Sequence, residues 1–244
     1  MTTPQHNLAV IKVVGIGGGG TNAIKRMIGE GMTGVDFIAL NTDEQDLLDC
    51  DAPTKLDIGQ STTRGLGAGA DPAVGERAAR DNSQDIEDVL TGADMVFVTA
   101  GEGGGTGTGG APIVAGIARG LGALTVAVVT KPFSFEGKRR ADNAEHGIEK
   151  LRDACDTLIT IPNDRLLQQE DKTISINEAF SKADEVLFNG VQGITDLIST
   201  PGLINVDFAD VKSVLADSGA ALMGIGRASG NDRASKATDA AINS

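Results

Sequence analysis

A chain of 244 residues with a formal charge of −13 is long enough to bury a full core, and its size suits one large α/β domain with a smaller appendage. The acidic balance argues against a nucleic-acid surface, which needs clustered Lys and Arg, so nucleic acid is not expected as a partner and any phosphate must be held locally. No apolar run approaches the roughly 18 residues of a membrane span and no basic n-region opens the chain, while Cys50 and Cys155 belong to no metal-spaced cluster; a soluble, cytoplasmic protein without direct membrane insertion is expected.

In chain order, Leu8 to Ile16 (LAVIKVVGI) is an apolar run ending in glycines, and Thr21 to Ile28 shows helical apolar spacing, which predicts strand, loop and helix. Val35 to Leu40 reads as a second strand, with Asn41, Thr42 and Asp43 just past its end. Pro72 follows Asp71 where a helix would start, and the apolar spacing predicts one helix over Asp71 to Leu90. Met95 to Ala100, Leu124 to Thr130 and Leu158 to Pro162 read as further buried strands, separated by segments of helix length. Such alternation implies a parallel sheet with helices on both faces.

From Ser175 to Ser199 the apolar residues Ile176, Ala179, Phe180, Ala183, Val186, Leu187, Val191 and Ile194 recur at three and four, predicting one long helix stopped by Pro201 and Gly202. A loop, a short helix, an apolar stretch from Ala220 to Ile225 and a helix near Asp232 to Ile242 follow, too few to close a core. The Ala220 to Ile225 stretch is therefore expected to lack strand partners.

The 33 glycines bunch in runs, which suggests backbone amides in place of basic side chains. GIGGGGTN, Gly15 to Asn22, follows a strand and enters a helix, bringing amides and a helix N-terminus to a phosphate. By itself it serves a dinucleotide as well as a mononucleotide; an NAD-binding oxidoreductase would use Asn41 or Asp43 for ribose. It is not a P-loop, since no Lys followed by Ser or Thr comes after the glycines. A second run, GEGGGTGTGG (Gly101 to Gly110), follows another strand and precedes another helix, so two glycine-rich strand ends converge at one sheet edge.

Within that second run, GGGTGTG (Gly103 to Gly109) matches the tubulin-superfamily signature, and the sequence closely resembles the FtsZ family. The resemblance continues through RGLGAGADP (Arg64 to Pro72), KPFSFEGKRR (Lys131 to Arg140), IPNDRLL (Ile161 to Leu167), NGVQGITDLI (Asn189 to Ile198) and PGLINVDFADVK (Pro201 to Lys212). It implies an α/β fold: a parallel Rossmann-like GTPase sheet with helices on both faces, a long central helix and an incomplete second α+β domain. The corresponding division is a GTP-binding domain over 1–174, the connecting helix over 175–200, and an acidic loop with the start of the second domain over 201–244. Because family members continue into a further sheet and a partner-binding tail, a nucleotide-binding module without hydrolysis or polymerisation is the alternative expectation.

The resemblance also implies GTP and GDP as ligands, Mg²⁺ as the accompanying cation, and roles for matching residues. Gly17, Gly18 and Gly19 together with Gly104, Gly105, Thr106 and Gly107 would surround the α- and β-phosphates, and Ala68 to Asp71, including Ala70, would reach the γ-phosphate. Glu136 and Arg140 would face the ribose and phosphates; Asn22, Asn163 and Asp184 would read the guanine edge, with Phe180 stacked on the base. A carboxylate accepts from both guanine N1–H and the 2-amino group, a pattern adenine lacks, and residues four apart share a helix face, so Phe180 and Asp184 can act together. Asn205, Asp207 and Asp210 lie beyond a helix of roughly 25 residues, which spans nearly 40 Å, so they are expected at the pole opposite the nucleotide. In the family this loop enters the next subunit's nucleotide site, implying a head-to-tail homopolymer at the division site whose hydrolysis requires assembly, with other division proteins as partners.

Overall fold

The computed structural model describes residues 9–168, 174–199 and 206–242. Seven parallel strands form one sheet in the order β3-β2-β1-β4-β5-β6-β7. They are β1 (Ile11–Ile16), β2 (Asp36–Asn41), β3 (Thr54–Asp57), β4 (Met95–Gly101), β5 (Leu124–Lys131), β6 (Thr157–Pro162) and β7 (Gly219–Ala221). The central strands are buried on both faces, which is why they read as unbroken Val- and Ile-rich runs rather than as alternating ones.

Ten helices complete the chain: α1 (Gly17–Gly29), α2 (Glu44–Leu48), α3 (Pro72–Asp81), α4 (Ser83–Leu90), α5 (Thr106–Gly120), α6 (Lys138–Ala154), α7 (Asn163–Gln168), α8 (Ile176–Ser199), α9 (Phe208–Leu215) and α10 (Arg233–Ile242), counted among the described residues. One face of the sheet is covered by α3, α4, α5 and α6, whose Ala78, Ile86, Val114 and Leu151 pack on Val14, Val98 and Ala127. The other face is covered by α1, α2, α8 and α9, through Ile24, Leu47, Leu187 and Val211 against Val13, Phe97 and Val126. Each large apolar side chain so buried contributes about 1.5–3 kcal/mol. Among the described residues no helix is long and apolar enough to cross a membrane.

Two expectations are corrected. The single helix over Asp71 to Leu90 is divided at Asn82, whose backbone leaves the helical region and whose Nδ2 donates to the carbonyls of Ala78 and Ile58. A side chain that satisfies the carbonyl of the last turn ends one helix and lets the next start at a new angle. The stretch Ala220 to Ile225, expected to have no strand partner, supplies part of β7: Gly219, Ala220 and Ala221 pair with Thr157, Leu158 and Ile159 at the edge of the main sheet. Thr157 Oγ1, bonded to Ser218 Oγ at 2.8 Å, fixes that register from the side.

Strand order reverses between β1 and β4, since β2 and β3 lie on one side of β1 and β5 to β7 on the far side of β4. At such a switch point the connections leave in opposite directions and open a crevice beyond the strands' C-terminal ends. Helix α8 runs against the strands. Phe180, Asp184 and Leu187 in its first half line that crevice, and its last residue, Ser199, lies beside Gly34 ahead of β2, at the opposite edge.

Candidate functional site

At the switch point β1 passes directly into α1 and β4 passes through Gly101 to Gly105 into α5. Both helices begin without a side-chain cap, because Ile16 and Gly105 stand at their N-cap positions. Their first-turn N–H groups therefore need acceptors from elsewhere, and their dipoles put partial positive charge at the same place. Gly17 permits this convergence: its φ is +68°, and a β-carbon there would stand 2.8 Å from Gly107 N. The resulting cleft is about 450 Å³.

A third wall comes from the segment before α3, where Arg64, Gly65, Gly67, Gly69 and Ala70 all have positive φ. Ala70, at φ 59°, holds a left-handed conformation that costs a non-glycine residue about 1–2 kcal/mol. The segment is held by Glu44 N–H to Gly65 O and Gly67 N–H to Thr42 O, and Asn143 Nδ2 on α6 donates to both Ala70 O and Gly103 O. Buried hydroxyls of Thr42 and Thr106 meet at 2.6 Å, tying this wall to the start of α5.

At the far end of the cleft Phe180 is part-exposed and packs edge-on against Phe133 and Phe135, with centroids 5.4 and 6.2 Å away. One turn on, Asp184 is pushed up to about 6 by burial, which Arg26 partly opposes. Asn163 is buried and its Oδ1 has no hydrogen-bond partner, an uncommon condition for a native side chain and one that a ligand donor relieves. On the rim, Glu136 accepts from Phe133 N at 2.9 Å and from Arg140 Nη1 at 2.7 Å, an i,i+4 ion pair that borders the cleft. Among the lining residues Arg140 is the cation, beside the acidic side chains of Asp43, Asp46, Glu136 and Asp184. An anion here is therefore held chiefly by backbone amides and helix ends.

Of the residues predicted for the site, Gly17, Gly18, Gly19, Asn22, Ala70, Gly104, Gly105, Thr106, Gly107, Glu136, Arg140, Asn163, Phe180 and Asp184 all line this one cleft. Asp71 lies just behind it: its carboxylate accepts from Ala73 N and caps α3, and its backbone abuts Gly105. Asp207 and Asp210 are exposed at the start of α9, whose end bonds through the Leu215 carbonyl to Thr157, the first residue of β6. That contact belongs to the sheet edge opposite the cleft. Asp207 caps α9, its Oδ1 accepting from Asp210 N at 2.8 Å. Asn205 lies outside the described residues.

Sequence reasoning missed Glu102, Asp46 and Asn143. Glu102 was visible as a carboxylate inside a glycine run; Asn143 acts through contacts distant in sequence, and Asp46 reaches the cleft beside Gly18. Asn41 and Asp43, the ribose ligands of the dinucleotide reading, are occupied: Asn41 accepts from Thr42 N and donates to Asp46, and Asp43 caps α2. No group of three His, Cys, Asp or Glu able to hold a metal occurs among the described residues.

The GTPase-domain model of the tubulin/FtsZ family matches residues 10–171. The chain is similar to an empty FtsZ dimer from M. jannaschii, at 49% identity and a TM-score of 0.94, covering 98% of this chain and 70% of that one. A mutant of FtsZ from M. jannaschii matches at the same identity and TM-score, with 98% and 72% covered. CetZ2 from Haloferax volcanii, in a GTPγS-bound protofilament, is 24% identical with a TM-score of 0.77 over 90% of this chain and 66% of that one, a likeness of fold.

Proposed function

Since this chain belongs to the tubulin/FtsZ family of GTPases, we propose that its cleft binds GTP and hydrolyses it to GDP and phosphate within a head-to-tail polymer of identical subunits. One observation carries the reading: two uncapped helix starts meet at the switch point, and a ring, a carboxylate and an unpartnered amide oxygen wait at the other end of the same cleft.

The first-turn amides of α1 and α5 bond the α- and β-phosphates, and Arg140 neutralises part of their charge. The loop of Ala68, Ala70 and Asp71 stands where a third phosphate extends. Phe180, braced edge-on by Phe133 and Phe135, stacks on the base. Asp184 accepts from guanine N1–H and the 2-amino group, while the Oδ1 of Asn163 accepts a further donor and Asn22 closes the edge. Mg²⁺ entering with the nucleotide would neutralise phosphate charge, as it does in phosphoryl transfer generally.

Hydrolysis needs groups that orient water, and the cleft's own subunit keeps Asp207 and Asp210 at the opposite sheet edge. With 24 residues, α8 is about 36 Å long, far beyond any side chain's reach. A neighbour stacked head to tail brings its Asp207, Asp210 and Asn205 to the cleft, a heterologous contact that repeats into a filament. The cellular role that follows is a cytoskeletal one in cell division, in the cytoplasm at the division site, with other division proteins as partners.

Calorimetric titration with GTP, ATP and NAD tests the ligand, and sedimentation with GTP and Mg²⁺ alongside phosphate release tests assembly. GTP is expected to bind at least tenfold more tightly than ATP, and phosphate release to rise more steeply than linearly with protein concentration. Equal binding of ATP, or full turnover in dilute monomer, overturns the respective half of the reading.

A further inference from the structure

Glu102 follows the last residue of β4 and borders the cleft, yet none of the contacts assigned to the nucleotide uses its carboxyl group. Its side chain runs into the seam between α5 and α6, where a β-carbon on Gly147 would stand 2.5 Å from Glu102 Oε2. Only glycine at that position leaves room for the acid. The residue is 4% exposed, and both carboxyl oxygens are buried without a hydrogen-bond partner.

Burial pushes the group up to about 8, with Thr108 pulling slightly the other way; Thr108 touches the acid but makes no hydrogen bond of normal geometry to it. The charged groups on the surrounding elements are engaged with one another. Lys131 at the end of β5 pairs with Glu145 of α6, Arg140 with Glu136, and Lys150 of α6 with Glu76 of α3. His146 of α6 bonds the Asp142 carbonyl through Nδ1, and Arg119 of α5 pairs with Asp156 and Asp217. None of these pairs includes Glu102, so its ionisation would place an unbalanced charge in the seam.

The seam and the phosphate loop share atoms. Thr108 Oγ1, beside the acid, accepts from Gly103 N at 2.8 Å and so fixes the start of the loop. Asn143, one turn before Gly147, holds Gly103 O and Ala70 O. Water admitted to solvate an ionised Glu102 must part α5 from α6 at these contacts.

We propose that Glu102 is a positioning residue for the nucleotide's phosphates: uncharged, it keeps the α5–α6 seam closed, so that Thr108 and Gly103 hold the loop in its anion-binding shape, and when ionised it opens the seam and releases the loop. The inference rests on the cleft being a nucleotide site. A bound polyphosphate disfavours a second negative charge nearby, so nucleotide and proton bind with mutual reinforcement. Binding above pH 8 therefore takes up a proton from solvent.

The test is calorimetric titration of GDP between pH 7 and 9.5, in pairs of buffers with different ionisation enthalpies, on the wild-type protein and on Glu102→Gln. Wild-type affinity is expected to fall by up to about tenfold per pH unit above pH 8, with proton uptake approaching one. Glu102→Gln should lose this dependence and the uptake; Glu102→Met, equally unable to ionise, serves if the amide does not fold. Ionisation of guanine itself acts on every protein alike, so the difference between profiles is read. Identical profiles and equal proton uptake overturn the role of Glu102, whereas failure of GDP to bind wild-type protein at pH 7 overturns the nucleotide site itself.

Discussion

Gly104→Val separates the ligand's space from the protein's. A β-carbon on Gly104 meets no atom within 4 Å, and its φ is not positive, so the fold accepts a side chain there. The same addition at Gly105 would stand 2.7 Å from Ala68 Cβ and 2.9 Å from Asp71 N, inside the packing of the third wall. The crowding at Gly105 is thus between two protein loops. Valine at 104 fills the space in front of the α5 amides and should remove about two charge-assisted hydrogen bonds, each worth about 1.5–3 kcal/mol. The expected loss of GTP affinity is therefore about 10²- to 10⁴-fold. Stability should stay within about 1 kcal/mol of wild type, since replacing glycine where the backbone is permissive also restricts the unfolded chain. Gly105→Val should lose both binding and stability. Nucleotide titration together with denaturant unfolding reads the two quantities separately. A folded Gly104→Val protein that binds GTP as well as wild type would show that phosphates do not sit before α5.

Asp184→Ala should weaken GTP binding about 10²- to 10⁴-fold, the range for two hydrogen bonds to a charged acceptor, while leaving ATP binding nearly unchanged; unchanged GTP binding would reject the guanine assignment. Burial raises Asp184 to about 6 from 3.8, so the anion that guanine needs is present above that value, and GTP affinity should fall as pH drops below 6 in titrations at pH 5 to 7. Asp210→Asn should retain GTP binding and lose phosphate release. Mixing it with a Gly104→Val protein, which keeps its own acidic loop, should restore part of the activity, and turnover by Asp210→Asn protein alone would refute the role in trans. Glu102 is raised in the folded protein to about 8 from 4.5, so its stabilising contribution is complete below 4.5 and is lost as pH rises to 8. The stability of Glu102→Gln relative to wild type should accordingly grow by about 4 kcal/mol from pH 5 to 8 in denaturant unfolding; a gap that does not change with pH would mean the acid is not buried.

The parallel sheet and the two glycine loops were legible because their signals are local. Apolar runs such as VFVTA ahead of Gly101 report strands buried on both faces, and glycine after such a run reports a backbone that must come close to something. The periodicity of α8 was equally plain, since a 24-residue helix repeats its pattern many times. Short or half-buried elements left weaker marks: β3 and α2 show four and five residues with little apolar content, and the break at Asn82 depends on a side chain reaching Ile58 O on a distant strand connection. The pairing of β7 with β6 could not be read either, because three small residues carry almost no hydrophobic signal and their partner lies some 60 positions earlier. The assignment of Asn22, Asn163 and Asp184 to guanine came from the family resemblance, and the donors and acceptors each side chain carries are consistent with it. Tertiary structure decided their electrostatic condition. Asp184 and Glu102 differ from an ordinary surface acid only by the neighbours that exclude water from them, and exclusion of water is a property of packing across α1, α5, α6 and α8, which no single stretch of the chain contains.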